Sequence, residues 1–150
     1  MGRTIHFKVL GVPVPQGSMT CICQHGQPRM FPNNKEIGKW RTKVAQASRD
    51  VQVTWTRDTP LMVVLTFMLP PTQTKRDGWH IVKPDVDKLV RGVLDGMTIL
   101  KDGRFKGRGV LHDDCQVVRL VVDKVYGDEA GVSITVCDAP SAYHPIPLPH

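Results

Sequence analysis

Three β-branched apolar runs and two stripes of helical periodicity predict an α+β fold, a small β-sheet packed with two main helices. The runs are Thr4 to Val12, Leu61 to Leu69 and Asp113 to Val122, and the stripes begin near Lys35 and at Asp85. At 150 residues, 41% hydrophobic and 23% charged, the chain has the size and apolar content for one core. A single domain over 1–138 is expected, followed by a Pro-rich tail over 139–150 that cannot continue a sheet and reads as extended or disordered.

Thr4 to Val12 alternates and is rich in β-branched residues, and Pro13-Val14-Pro15-Gln16-Gly17-Ser18 ends it with turn chemistry. An irregular segment is expected as far as Asn34. Asn33 and Glu36 then fit a capping pattern, and Ile37, Trp40, Val44, Ala47 and Val51 recur at helical spacing, so a helix should cover 35–52 with Trp40 in the core. Leu61 to Leu69, between Pro60 and Pro70-Pro71, is a compact strand. Thr72 to Val82 is polar, and its Trp79 is expected to fold back over the core.

Val86, Leu89, Val90, Val93, Leu94 and Met97 mark the second amphipathic helix. Pro84 sets its start, Asp85 suits the N-cap, and Asp87 should fall in the first turn, facing away from the core. Asp113-Asp114 then opens a strand in which Gln116, Val118, Leu120 and Val122 share one face.

The N-terminal residues lack the apolar run of a signal peptide, and the longest apolar stretch is too short to span a bilayer, so a soluble, cytoplasmic protein without a membrane partner is expected. Cys21, Cys23, Cys115 and Cys137 show no disulfide spacing. Cys21-Ile22-Cys23-Gln24-His25 is tighter than a usual zinc half-site, and no matching pair follows.

Two acidic clusters carry the chemistry: Asp85-Val86-Asp87 and Asp113-Asp114. Carboxylates at the edges of regular elements suit a hard cation bound through oxygen while water and phosphate fill other positions. Each has a plainer reading, since Asp is favoured at N-caps and turns, and Asp87, Arg91 and Asp95 could form a salt-bridge ladder. The formal charge of +6 favours a polyanionic partner. Basic groups flank the acids: Lys75 and Arg76, Lys83, and the run Lys101, Arg104, Lys106 and Arg108, which is read as a mobile loop touching DNA backbone. Phe105 within that run is a candidate wedge at a branch point. Two other classes fit parts of the pattern: a nucleotidyl- or glycosyltransferase using the Asp-x-Asp, and a DNA-binding protein whose acids are structural. The former lacks a Gly-rich phosphate loop. A nuclease of the Asp…Glu-x-Lys type is disfavoured because neither Glu36 nor Glu129 has Lys two residues later.

Lys83-Pro84-Asp85-Val86-Asp87-Lys88-Leu89 through Leu94-Asp95, with His112-Asp113-Asp114-Cys115-Gln116-Val117-Val118, resembles the RusA-type Holliday-junction resolvases common in bacteriophages. Val12-Pro13-Val14-Pro15-Gln16-Gly17-Ser18 is similar too. The resemblance implies a homodimeric α+β endonuclease with a small mixed sheet, acting on four-way or branched DNA junctions in a bacterial or phage-infected cell. It assigns metal binding and catalysis to Asp85, Asp87 and Asp114, with Asp113 as a neighbouring ligand, Mg²⁺ as cofactor, Mn²⁺ as its substitute, and no organic cofactor. The chain departs from the family pattern at Lys88, where Asn is usual, and at Arg91, where Lys is usual. Arg91 can stabilise negative charge but cannot titrate near neutrality, which leaves Lys88 as the candidate for proton transfer.

Overall fold

The computed structural model describes residues 2–17, 19–32 and 34–149. In chain order the elements are β1 (Thr4–Leu10), β2 (Met19–Gln24), β3 (Gln27–Pro32), α1 (Ile37–Asp50), β4 (Leu61–Leu69), α2 (Val86–Met97), a 3₁₀ turn (Asp114–Gln116), β5 (Val117–Tyr126) and β6 (Gly131–Asp138). Four strands form a mixed sheet in the order β1-β6-β4-β5, in which only β4 and β5 run parallel. The chain is therefore α+β, with a mixed sheet and two helices.

β4 is the organising strand, because Leu61, Val63, Leu65, Phe67 and Leu69 all point to one side and are buried. Against that side lie Ile37, Trp40 and Val44 of α1, Leu89, Val90, Val93 and Met97 of α2, and Val132, Ile134 and Val136 of β6. The helices approach closely where α2 has no side chain. A Cβ on Gly96 would lie 2.7 Å from the Val44 side chain, and one on Gly92 would lie 3.2 Å from both Ile37 and the Val14 carbonyl.

Several expectations need correction. The segment up to Asn34 is not irregular: β2 and β3 form an antiparallel hairpin whose turn places His25 at φ 52° and Gly26 at φ 75°. Positive φ at both positions is what a two-residue type I′ turn requires, a geometry that Gly26 takes without strain. β1 stops at Leu10, short of Val12, and α1 spans 37–50 within the expected 35–52. Asn33, expected to cap α1, and Ser18, expected in the turn, lie outside the described residues. Asn34 instead accepts the Glu36 N–H through its side chain at 3.0 Å.

Asp113-Asp114 does not open a strand. It begins the 3₁₀ turn, and the expected apolar face of β5 is open, with Val118 63% and Leu120 41% exposed, because β5 is an outer strand. Trp79 is exposed rather than folded over the core. It bridges to Val125 at the end of β5, and that bridge buries the neighbouring His80 instead.

Candidate active site

α2 separates the acids. Asp85 takes the N-cap position with an extended backbone (φ −70°, ψ 141°) after a cis Lys83–Pro84 peptide. Its carboxylate does not cap the helix but pairs with Lys83 Nζ at 2.9 Å. Asp87, in the first turn, pairs with Lys88 Nζ at 2.9 Å, and hydrogen bonding from that ammonium holds the Asp87 carboxyl below its ordinary range. The segment leading to this helix start is strapped by Lys124, whose Nζ donates to the Val82 and Pro84 carbonyls at 2.7 Å each.

The second cluster is built differently. Asp113 caps the 3₁₀ turn by accepting the Cys115 N–H at 3.1 Å. Gln116, almost fully buried, accepts from the His112 and Asp113 N–H groups at 2.8 and 3.2 Å and donates to the Thr56 and Thr59 carbonyls at 2.8 and 3.1 Å. One amide thus ties the acidic turn to the loop before β4. The Cys115 N–H, then the Asp114 side chain, hold Asp113 below the carboxylate range, with Lys101 a weaker influence. Asp114 is pushed up, first by its hydrogen bond to Asp113, then by burial and the charges of Asp113 and Asp95. The two carboxyls are therefore pushed in opposite directions by the same contact.

Asp95, Thr98, Lys101, His112, Asp113 and Asp114 line one hollow of about 390 Å³ at the C-terminal end of α2. From Asp87 to Asp95 the helix rises about 12 Å. Asp85 and Asp87 thus lie at the opposite end of α2 from Asp113 and Asp114, and among the described residues no three His, Cys, Asp or Glu side chains converge as a metal site. The four aspartates offer oxygen only, which suits Mg²⁺ in chemistry, but among the described residues the chain does not bring them together.

Each acid cluster keeps basic company. Lys75, Arg76 and Lys83 belong to the β4–α2 connection, where Arg76 pairs with Asp128 at 3.2 Å. Lys101, Arg104, Lys106 and Arg108 belong to the α2–β5 connection. That loop is folded: Gly107 N–H donates to the Leu100 carbonyl at 2.9 Å, and the half-buried Phe105 lies under Arg49, 4.3 Å from guanidinium to ring centre. Phe105 is held against α1 and is not a free wedge. The salt-bridge ladder does not form: Asp87 pairs with Lys88, Asp95 with Arg41 at 3.7 Å, and Arg91 has no ion pair among the described residues.

Residues 11–137 match the family described as endodeoxyribonuclease RusA. The chain belongs to the RusA family. No curated protein matches it. As a RusA-family chain it carries nuclease ancestry over both acid clusters and the basic connections between them. Periodicity misses three residues that shape the surroundings of the two acid clusters: Asp95, which stands out only as a ladder member, Gln116, which sits in the Asp-Asp-x-Gln-Val motif, and Lys124, which no local pattern distinguishes.

Proposed function

We propose that this RusA-family protein is a metal-dependent endodeoxyribonuclease that resolves four-way or branched DNA junctions by paired, symmetric phosphodiester hydrolysis. The observation that carries the reading is the family match spanning both acid clusters, each of which stands beside a basic connection suited to phosphate. Asp85, Asp87 and Asp114 are the catalytic carboxylates, Asp113 is their neighbour, and Mg²⁺ or Mn²⁺ is the cofactor. Lys75, Arg76 and Lys83 on one connection, and Lys101, Arg104, Lys106 and Arg108 on the other, bind backbone phosphates.

Arg91 is exposed and has no ion pair among the described residues, so its planar guanidinium fork can meet a phosphate. Lys88 is paired with Asp87, which positions its ammonium beside the acids. A homodimer with one site per two-fold-related half matches the two equivalent strands of a junction. The domain occupies 1–138 and the tail 139–150 stands apart from catalysis. No helix among the described residues is long and apolar enough to cross a membrane.

Incubating the protein with a labelled four-way junction and a linear duplex of the same sequence, with Mg²⁺ or with chelator, tests the reading. Symmetric nicking of the junction alone, lost with chelator, is expected. Equal cutting of both substrates overturns junction specificity, and cutting in chelator overturns the metal requirement.

A further inference from the structure

β5 supplies a route to unite carboxylates that one protomer keeps apart. It is an outer strand, bonded to β4 on one side. On its open side the Tyr126 N–H donates to the Gly78 carbonyl and the Lys124 carbonyl accepts from His80, so the even-numbered residues of the strand turn their backbone groups outward there. Leu120 and Val122 continue this alternation, and no backbone partner meets them on the open side among the described residues. The tail lies beside Val118 and Arg119, where Ala142 and Tyr143 share a hollow with them and the Arg119 guanidinium donates to the His144 carbonyl, but among the described residues it makes no backbone hydrogen bond to Leu120 or Val122. Around this edge Val118, Leu120, Val121, Ile81 and Val82 are all exposed, with Ile81 at 86%. An outer strand with unpaired backbone and apolar side chains is a template for another strand.

An antiparallel partner strand runs opposite to β5, so its N-terminal end comes beside the C-terminal end of β5. The N-terminal end follows Asp113 and Asp114 directly, and the C-terminal end carries Lys124, strapped to the segment that leads into Asp85. Self-pairing therefore brings the acidic turn of one chain to the Lys83, Lys88 and Lys124 side of the other, which is complementary in charge. The 78–80 segment already covers the open side at Lys124 and Tyr126, which confines the new ladder to the first part of β5 and centres it near Leu120.

We propose that two copies of the chain pair antiparallel along β5 about a two-fold axis at Leu120, and that each active site is completed in trans, with Asp85 and Asp87 from one protomer and Asp113 and Asp114 from its partner. The catalytic half of this inference rests on the nuclease reading above. The pairing half does not.

Each half has its own test. For pairing, Leu120→Cys is oxidised and compared with the wild type and with Lys8→Cys on β1, the opposite edge of the sheet. Residues facing each other across a two-fold antiparallel ladder sit about 5.5 Å apart, within disulfide reach. A disulfide-linked dimer specific to Leu120→Cys is expected; no such dimer, or equal dimer from Lys8→Cys, overturns the interface. For the site, Asp87→Asn and Asp114→Asn chains are co-expressed under two tags and the mixed dimer is purified. A trans site leaves one of its two centres intact, restoring about half of the wild-type nicking rate from two inactive parents. A cis site leaves both centres damaged, so absence of rescue overturns completion in trans. If the wild type nicks no branched DNA, the nuclease reading falls, while the disulfide result still decides the interface.

Discussion

At the entrance of α2 each aspartate faces a lysine, whereas beyond its exit two aspartates face each other. The entrance pairs, Lys83–Asp85 and Lys88–Asp87, are exposed side chains whose ion pairs water screens and rearranges readily. Beyond the exit, Asp113 is bonded to backbone and Gln116 pins the turn through four hydrogen bonds, so two carboxylates are held close despite their repulsion. One half is adjustable, each acid with its own lysine; the other is rigid, with Asp95, Asp113 and Asp114 around a hollow to which Lys101 adds one positive charge. A cation therefore gains more at the exit, and the entrance can conform to it.

The largest effect that tests this contrast is catalytic. Asp87→Asn and Asp114→Asn should each lower junction cleavage more than about a hundredfold, since even the outer partners of metal ligands are worth ten- to a hundredfold. Single-turnover cleavage alongside junction binding measures this, and retained cutting by either variant would remove that half from the site. Replacing Lys101, Arg104, Lys106 and Arg108 together should flatten the salt dependence of junction binding, with the log–log slope falling by about 0.9 for each phosphate that is no longer neutralised. An unchanged slope would show that the folded loop is merely solvated.

Gln116→Ala should destabilise the fold by about 2–3 kcal/mol, because it strands buried backbone groups. Lys83→Ala at the entrance should leave the urea midpoint unchanged. Equal midpoint shifts would erase the distinction between a rigid and an adjustable half. The smallest effect concerns His80, whose pKa is lowered from 6.5 by burial and then by Lys124. Its neutral form is preferred in the fold, so the unfolded chain binds more protons in acid. Stability should be full above pH 6.5 and decline as pH falls through the lowered folded value, and His80→Phe should flatten that decline in thermal melts.

Much of the scaffold was legible because it rests on local pattern. Leu61–Leu69 alternates and is bounded by prolines, and it is β4 residue for residue; α2 begins at Asp85 as its proline and cap residue require. What stayed hidden depends on partners distant in sequence. β6 goes unpredicted although it is central in the sheet, since its pairing with β1 and β4 joins residues more than a hundred and about seventy positions apart. The β2–β3 hairpin is masked by prolines and short strands, its turn betrayed only by His25-Gly26. For the site, motif residues named the acids, but the distance between the clusters depends on α2 running between them, which spacing along the chain does not convey.

Gly92 and Gly96 make α2 a spacer that cannot slip. A side chain at Gly96 would meet Val44 at 2.7 Å, so the α1–α2 contact must shift there, whereas at Gly92 Ile37 and the Val14 carbonyl, at 3.2 Å, need give only slightly. Such a shift moves Asp85 and Asp87 relative to the Asp113-Asp114 turn, which Gln116 anchors to the loop before β4. A variant at Gly96 is then expected to lose stability to overpacking and, with it, the spacing between the two acid clusters.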